Sequence, residues 1–169
     1  DYLPGWGILT GVRPAKLYSR LRKTMGDKAD KYFKETLRVS EKKLSLCKEA
    51  VLGEDKIISL SKGDSFSLYI SIPFCPTRCS YCSFVSHSVT HAKKLIPQYV
   101  ELLCEELKIT AEIAKSLKLT LQTVYIGGGT PTCLSSGQLE RLLEAVHQYL
   151  QPSSETEISI EANPETLTP

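Results

Sequence analysis

The chain has 169 residues, of which 24% are charged and 41% hydrophobic, and its formal net charge is +2. These proportions are those of ordinary globular proteins, and they exclude the intrinsically disordered and low-complexity classes. No stretch of the sequence approaches the roughly 18–20 apolar residues that a transmembrane helix needs, so no membrane span is predicted.

The ends of the sequence look cut. The chain begins with Asp1 rather than a methionine, and its last residues resemble a loop that enters a helix. We therefore expect a piece of a longer protein.

The start carries no basic-then-apolar pattern typical of a secretory leader. Three of the six cysteines lie within eight residues, which indicates a metal site rather than a disulfide framework. A cytoplasmic protein is predicted.

Charge divides the sequence into two parts. Residues 1–65 carry 14 Lys and Arg against 9 Asp and Glu, whereas residues 66–169 carry 7 against 10. We expect the first part to be a basic, mainly helical N-terminal extension. The second part is expected to form another domain.

Helical periodicity dominates the N-terminal extension. Pro14 suits the first turn of a helix, and Gly26 would end it. Helical spacing of apolar residues then continues from Tyr32 to Gly53. A turn and a short extended piece are predicted to follow, at residues 56–60.

Strand and helix patterns alternate in the second part. Strands are predicted at residues 66–72, 123–126 and 157–162, and helices at residues 91–118 and 135–150. This order is typical of a parallel α/β layer. A complete (β/α)₈ barrel takes about 250 residues, so three strands and two helices would form only part of one. The third strand would leave an unpaired edge, which again indicates a longer protein.

The most informative motif is a cluster of three cysteines, Cys75, Cys79 and Cys82, with the spacing C-x₃-C-x₂-C. Three thiolates in one loop can hold three corners of a [4Fe–4S] cluster and leave the fourth iron open to a substrate or cofactor. The alternatives are a zinc site completed by His87 or His91, and buried thiols without a metal.

Two further motifs follow the predicted strands. Gly127, Gly128 and Gly129 end the second strand, where they would let a ligand approach the backbone or simply form a tight turn. Glu161 ends the third strand and is either a functional carboxylate or a solvated one. Carboxyl ends of parallel strands meet at one edge of a sheet, so we expect these motifs to face the cysteines.

Taken together, the motifs resemble those of the radical S-adenosylmethionine (SAM) enzymes. They are most similar to the oxygen-independent coproporphyrinogen III oxidase/dehydrogenase group. The resemblance is carried by the cysteine cluster and by residues 68–75, 125–132 and 159–164, and it covers residues 66–169. It implies an α/β fold with the first three strands and crossover helices of a radical SAM (β/α) barrel.

The resemblance also implies cofactors and their ligands. The three cysteines would bind a [4Fe–4S] cluster, and SAM would chelate the fourth iron. The residues expected to contact SAM lie on the first strand, in the cysteine loop, and at the ends of the second and third strands: Tyr69, Tyr81, Gly128, Gly129, Thr130 and Glu161. Among these, Glu161 matches the acidic residue that holds the ribose. Tyr81 matches the aromatic residue that lies against SAM.

The implied reaction belongs to haem biosynthesis. An electron from an unidentified donor would cleave SAM to a 5′-deoxyadenosyl radical, which takes hydrogen from a propionate of coproporphyrinogen III. Loss of carbon dioxide then leaves a vinyl group. A nucleic-acid partner is not expected, because the basic residues alternate with acidic ones such as Asp27 and Glu35.

One position departs from the reference oxidases. They carry a fourth cysteine two residues after the triad, where this sequence has Phe84. A phenylalanine there is similar to related haem chaperones, which keep the cluster and bind haem. A phenylalanine also occurs there in a longer dehydrogenase variant that has an N-terminal extension. Residues 5–14 of this sequence resemble that extension. We therefore favour the dehydrogenase and keep the haem chaperone as the alternative.

Overall fold

The computed structural model describes residues 3–11, 13–84 and 86–167. The chain divides into two compact units, which we call the helical unit, ending at Lys62, and the sheet unit, beginning at Gly63. The terminal residues on which the expectation of cut ends depends, Asp1 and Pro169, lie outside the described residues. Within the described residues, no helix is long and apolar enough to cross a membrane.

The helical unit is built from three α-helices and one π-helical turn. They are α1 (Pro14–Met25), α2 (Lys28–Lys31), the turn Tyr32–Thr36 and α3 (Glu41–Leu60). Phe33 is fully buried, and the Tyr18 ring meets its edge at a centroid distance of 5.2 Å. The Tyr18 hydroxyl donates a 2.6 Å hydrogen bond to Asp30, which also pairs with Lys48 on α3. One carboxylate therefore links all three helices.

The extended piece predicted at residues 56–60 is wrong, because α3 continues as a helix to Leu60. Gly53, expected to end the helix, lies in its interior. A glycine costs a helix only about 1 kcal/mol, which the flanking turns offset. Ile57 and Ile58 suggested a strand by their β-branched side chains, but a strand needs a hydrogen-bonded neighbour.

The sheet unit contains one main parallel sheet. Its elements are β1 (Ser65–Ile72), β2 (Phe74–Cys75), β3 (His87–Ser88), α4 (Val89–Ala92), α5 (Ile96–Ser116), β4 (Thr120–Gly128), α6 (Ser136–Ala145) and β5 (Glu157–Ile160). A 3₁₀ turn follows β4, a π-helical turn follows α6 and a second 3₁₀ turn follows β5. Strands β1, β4 and β5 pair in parallel in that order. The predicted α/β fold, three strands with their crossover helices, is confirmed.

Pairing of β2 with β3 escaped the sequence prediction, because each strand has only two residues. The predicted helix 91–118 is also divided. A break separates α4 from α5, and Pro97 lies in the first turn of α5. Proline suits that turn because its missing N–H would have no partner there. Helix α6 begins with a capping box between Ser135 and Gln138, as the serine predicted.

The two faces of the sheet have different surroundings. Ile70 and Ile72 of β1 and Val124 and Ile126 of β4 are buried in the core formed with α5 and α6. Side chains alternate along a strand, so Tyr69 and the residues in phase with it occupy the opposite face. Tyr69 is 57% exposed. This open face leads to the ends of the strands, where the functional motifs lie.

We predict that Gly53→Ala stabilises the helical unit. An added Cβ at Gly53 would have no neighbour within 4 Å, and alanine favours a helix interior. The free energy of unfolding should rise by about 0.5–1 kcal/mol in urea titrations followed by circular dichroism. Gly7→Ala is the opposing control, because Gly7 has φ of +61° and its Cβ would overlap the Leu37 carbonyl. A loss of stability in Gly53→Ala would contradict the continuous helix.

Candidate functional site

The glycine segment after β4 is held against the chain that leads to the cysteines. The Gly129 N–H donates to the Ile72 carbonyl and the Thr130 N–H to the Phe74 carbonyl, each at 2.8 Å. These two N–H groups are therefore already paired with backbone carbonyls. Gly128 has φ of +113°, a conformation that favours glycine.

Close approach explains the absence of a side chain at Gly129. An ideal Cβ there would lie 2.6 Å from the Phe74 carbonyl oxygen and 2.9 Å from Cys75 Sγ. Any larger residue would push Cys75 away from the strand end. Gly129 therefore fixes the position of the first cysteine of the triad.

All three triad cysteines are free thiols: Cys75 ends β2, and Cys79 and Cys82 follow in the loop after it. Cys79 is exposed, and Cys75 and Cys82 are half-buried. The Cys82 N–H donates to the Cys79 carbonyl at 3.1 Å, and Arg78 donates to the Cys82 carbonyl at 3.2 Å. No three His, Cys, Asp or Glu side chains of the described residues are gathered as a metal site. Neither the cluster ligands nor the zinc alternative is therefore preassembled.

A fourth cysteine lies close by in a different environment. The Cys133 thiol donates to the Phe74 carbonyl with a sulfur–oxygen distance of 3.6 Å. Burial raises the pKa of Cys133 to about 11, and the nearby Cys75 adds to this. Cys133 is thus a neutral thiol at neutral pH. The remaining cysteines, Cys47 and Cys104, are buried in the two cores.

Two tyrosines and a glutamate converge over Gly127. The rings of Tyr69 and Tyr125 stack with their centroids 5.7 Å apart. The Tyr125 hydroxyl donates a 2.7 Å hydrogen bond to Glu161 Oε1, and this bond raises the pKa of Tyr125. An ideal Cβ on Gly127 would lie 3.0 Å from the Tyr69 hydroxyl and 3.1 Å from Glu161 Oε2. The missing side chain leaves room for this group.

A cleft of about 390 Å³ joins the motifs at the strand ends. The predicted site residues that line it are Cys79, Tyr81, Gly129, Thr130 and Glu161. Cys75 lies behind Gly129, whereas Tyr69, Gly128 and Cys82 are not part of the wall. Tyr81 is 88% exposed, and its hydrogen bond to Cys79 raises the pKa of its hydroxyl.

The predicted site residues did not include two residues of this region. Tyr125 donates a hydrogen bond to Glu161, and Asn163 lines the cleft. A signal for Tyr125 was present, because it lies two residues before Gly127 on the same face of a strand. Its pairing with Tyr69 depends on the register of two strands distant in sequence. Asn163 carried no signal of its own.

The residues present fit an iron–sulfur cluster and a bound cofactor. Three unpaired thiols on one partly exposed loop are the donor set for a cluster with an open iron. The cleft beside them combines a carboxylate, an aromatic ring and glycine backbone. A small polar ligand with an aromatic base can be held by such groups.

Comparison with known proteins gives consistent matches. The profile of the Radical SAM superfamily matches residues 69–169. The oxygen-independent coproporphyrinogen-III oxidase-like protein HemZ of Bacillus subtilis is 32% identical over 96% of this chain and 34% of its own length. The heme chaperone HemW of the same organism is 41% identical over 60% of this chain and 26% of its own.

One solved structure is also similar. Coproporphyrinogen III oxidase (HemN) from Escherichia coli, described as a radical SAM enzyme, matches with a TM-score of 0.53 and 32% identity. The match covers 60% of this chain and 23% of that one. The chain thus spans about a third or less of the length of these relatives. The superfamily and the HemN-like group predicted from the sequence are confirmed.

We predict that Gly129→Ala displaces Cys75 and destabilises the sheet unit. The added Cβ would collide with backbone, so a loss of about 1–3 kcal/mol in the free energy of unfolding is expected. Iron uptake on anaerobic reconstitution should fall with it. Gly137→Ala is the matched control, since its Cβ would meet nothing within 4 Å. Equal stability and iron content in the two variants would refute the role of Gly129.

Proposed function

Because this chain belongs to the radical SAM superfamily, we propose that it acts in the oxidative decarboxylation of porphyrinogen propionates to vinyl groups in haem biosynthesis. The proposed activity is that of a coproporphyrinogen III dehydrogenase. The observation that carries the proposal is the single cleft in which Cys79, Tyr81, Gly129 and Glu161 meet. The similarity to coproporphyrinogen-III oxidase-like HemZ over nearly the whole chain supports it.

In this proposal Cys75, Cys79 and Cys82 hold a [4Fe–4S] cluster. Three protein ligands leave one iron open for SAM, and the bound pair supplies one-electron reductive cleavage of SAM. Binding the cluster would require the three thiols to lie together, and they are not gathered among the described residues. Gly129 would keep Cys75 at the strand end. An unidentified electron donor would reduce the cluster, and an electron acceptor would take the one electron that the substrate radical loses with carbon dioxide.

The cleft walls would hold SAM. Glu161 would accept hydrogen bonds from the ribose hydroxyls, with Oε1 already bound by Tyr125 and Oε2 directed over Gly127. The exposed Tyr81 ring would cover the bound cofactor. The residues proposed to complete the site are Tyr69 above the carboxylate, and Gly128, Gly129 and Thr130 at the methionine end. The small-molecule substrate would then enter from the open face of the sheet.

A haem chaperone is the second candidate function. Phe84 follows the cysteine triad, and its side chain is 67% exposed. At this position the reference oxidases of the sequence comparison carry a fourth cysteine. Similarity to the heme chaperone HemW of Bacillus subtilis over 60% of the chain favours this candidate. In both candidates the cluster is retained.

The protein is proposed to work in the cytoplasm.

Anaerobic reconstitution with iron and sulfide tests the cluster assignment. We expect visible and electron paramagnetic resonance spectra of a [4Fe–4S] cluster, lost in Cys79→Ser. Cys133→Ser is the matched control, because it removes the nearest cysteine outside the triad and keeps a donor to Phe74. Loss of the cluster in Cys133→Ser would imply four protein ligands and no open iron. Tight zinc binding without a reconstitutable cluster would refute the radical SAM chemistry.

Turnover separates the two candidate functions. With dithionite and SAM, the full-length gene product should release 5′-deoxyadenosine and carbon dioxide when coproporphyrinogen III is added. Stoichiometric haem binding without carbon dioxide would instead support the chaperone. A cluster that neither cleaves SAM nor binds haem would overturn both.

We also predict that Tyr125→Phe weakens SAM binding by about 3–10-fold. Its hydroxyl donates to the Glu161 carboxylate, and the loss of this bond would leave Glu161 less well positioned for the ribose. Isothermal titration of SAM into the reconstituted chain measures the effect. Tyr99→Phe is the control, since it loses a 2.7 Å bond to the Ser71 carbonyl outside the cleft. An unchanged affinity in Tyr125→Phe beside a reduced one in Glu161→Gln would exclude a positioning role for Tyr125.

A further inference from the structure

A second concave surface lies in the helical unit. It is a groove of about 840 Å³ bordered by α1 and the C-terminal half of α3. We call it the basic groove, because four of its lining residues are Arg13, Lys16, Arg20 and Lys23. Glu54 is the one carboxylate among the described residues that line it. The groove is thus strongly positive.

The four cations form a regular stripe. Lys16, Arg20 and Lys23, spaced four and three residues apart, lie on one side of α1 over about 10 Å of helix, and Arg13 directly precedes the helix. Helix α1 contains no acidic residue that would compensate them. Like charges three or four residues apart destabilise a helix, so the stripe is unfavourable for folding alone.

Some other cations of the helical unit have partners. Lys31, Lys34 and Lys48 each form an ion pair with a carboxylate. Within the part of the chain that the structure describes, none of the four groove cations forms one. All four are exposed and directed at solvent or the groove. Their charge is therefore available to a ligand.

The floor of the groove is apolar. Ile58 of α3 lines it and remains 65% exposed, beside Pro14 and Ala15 of α1. A ligand that matches the groove has negative charge on one side and apolar groups on the other. The cations lie in a line rather than around one point, which suits an extended ligand. No aromatic side chain is among the described lining residues, so bases of a single-stranded nucleic acid would have no stacking surface.

We propose that the basic groove binds an acidic amphipathic peptide segment of a partner protein. Carboxylates of the segment pair with the α1 stripe while its apolar side chains cover Ile58, the helix-in-groove mode of recognition. Charge complementarity identifies the occupant and accelerates its association. This proposal concerns the helical unit and does not depend on the reaction proposed for the sheet unit.

Fluorescence anisotropy of the full 169-residue chain tests this assignment. The probe is a labelled synthetic helical peptide with glutamates on one face and leucines on the other. We expect the double variant Lys16→Glu/Arg20→Glu to bind the labelled peptide about tenfold or more weakly. Lys28→Glu/Lys42→Glu is the matched control, with the same change in net charge at exposed positions outside the groove, and should change affinity by less than about twofold.

A second pair of variants tests the apolar floor. Ile58→Ser should weaken peptide binding several-fold, whereas Ile57→Ser, equally exposed but outside the groove, should not. Circular dichroism verifies that all variants are folded, and Arg13→Gln/Lys23→Gln repeats the charge test without reversal. Equal losses within either matched pair would overturn the proposal. Coproporphyrin III is also tested as a competitor. If it displaces the peptide, and if this displacement is lost in the stripe variants, the peptide proposal is overturned in favour of a compact polycarboxylate ligand.

Discussion

Two backbone hydrogen bonds hold the cysteine loop at the end of the sheet. They join Gly129 to the Ile72 carbonyl and Thr130 to the Phe74 carbonyl, and so extend the pairing of β1 with β4 beyond the strands. This contact is possible only because Gly129 has no side chain to occupy the space beside Cys75. The position of the first cysteine is therefore set by the glycine segment. The remainder of the cleft is arranged around that joint.

The joint is rigid because the opposite face of the sheet is packed. Ile72 and Ile126 are fully buried against α5 and α6, and burial of such side chains stabilises each by about 1.5–3 kcal/mol. The open face bears Tyr69 and Tyr125, whose ring contact supports Glu161 at its edge. A stable apolar face thus carries a polar one. The same strand alternation that buries the isoleucines directs the tyrosines toward the site.

The parts of the fold that were predictable depend on local patterns. Enrichment in β-branched and aromatic residues located β1, and a possible capping serine located the start of α6. The cysteine spacing and Glu161 pointed to the cleft because they lie directly after strands. What could not be predicted depends on distant partners. The contact of Tyr125 with Tyr69, for example, follows from the register of β1 against β4. The roles of the site residues stay predictions.

The thiols of Cys75, Cys79 and Cys82 are less constrained than the rest of the site. They are free and ungathered, whereas Glu161 and the glycine segment are already fixed by hydrogen bonds. Metal binding that orders a loop spends part of its free energy on that ordering, so affinity depends on how much of the loop is positioned beforehand. For the proposed cluster, anchoring Cys75 would leave only two thiols to be brought in. The glycine segment would then contribute to cluster affinity without touching the cluster, through the position of one sulfur.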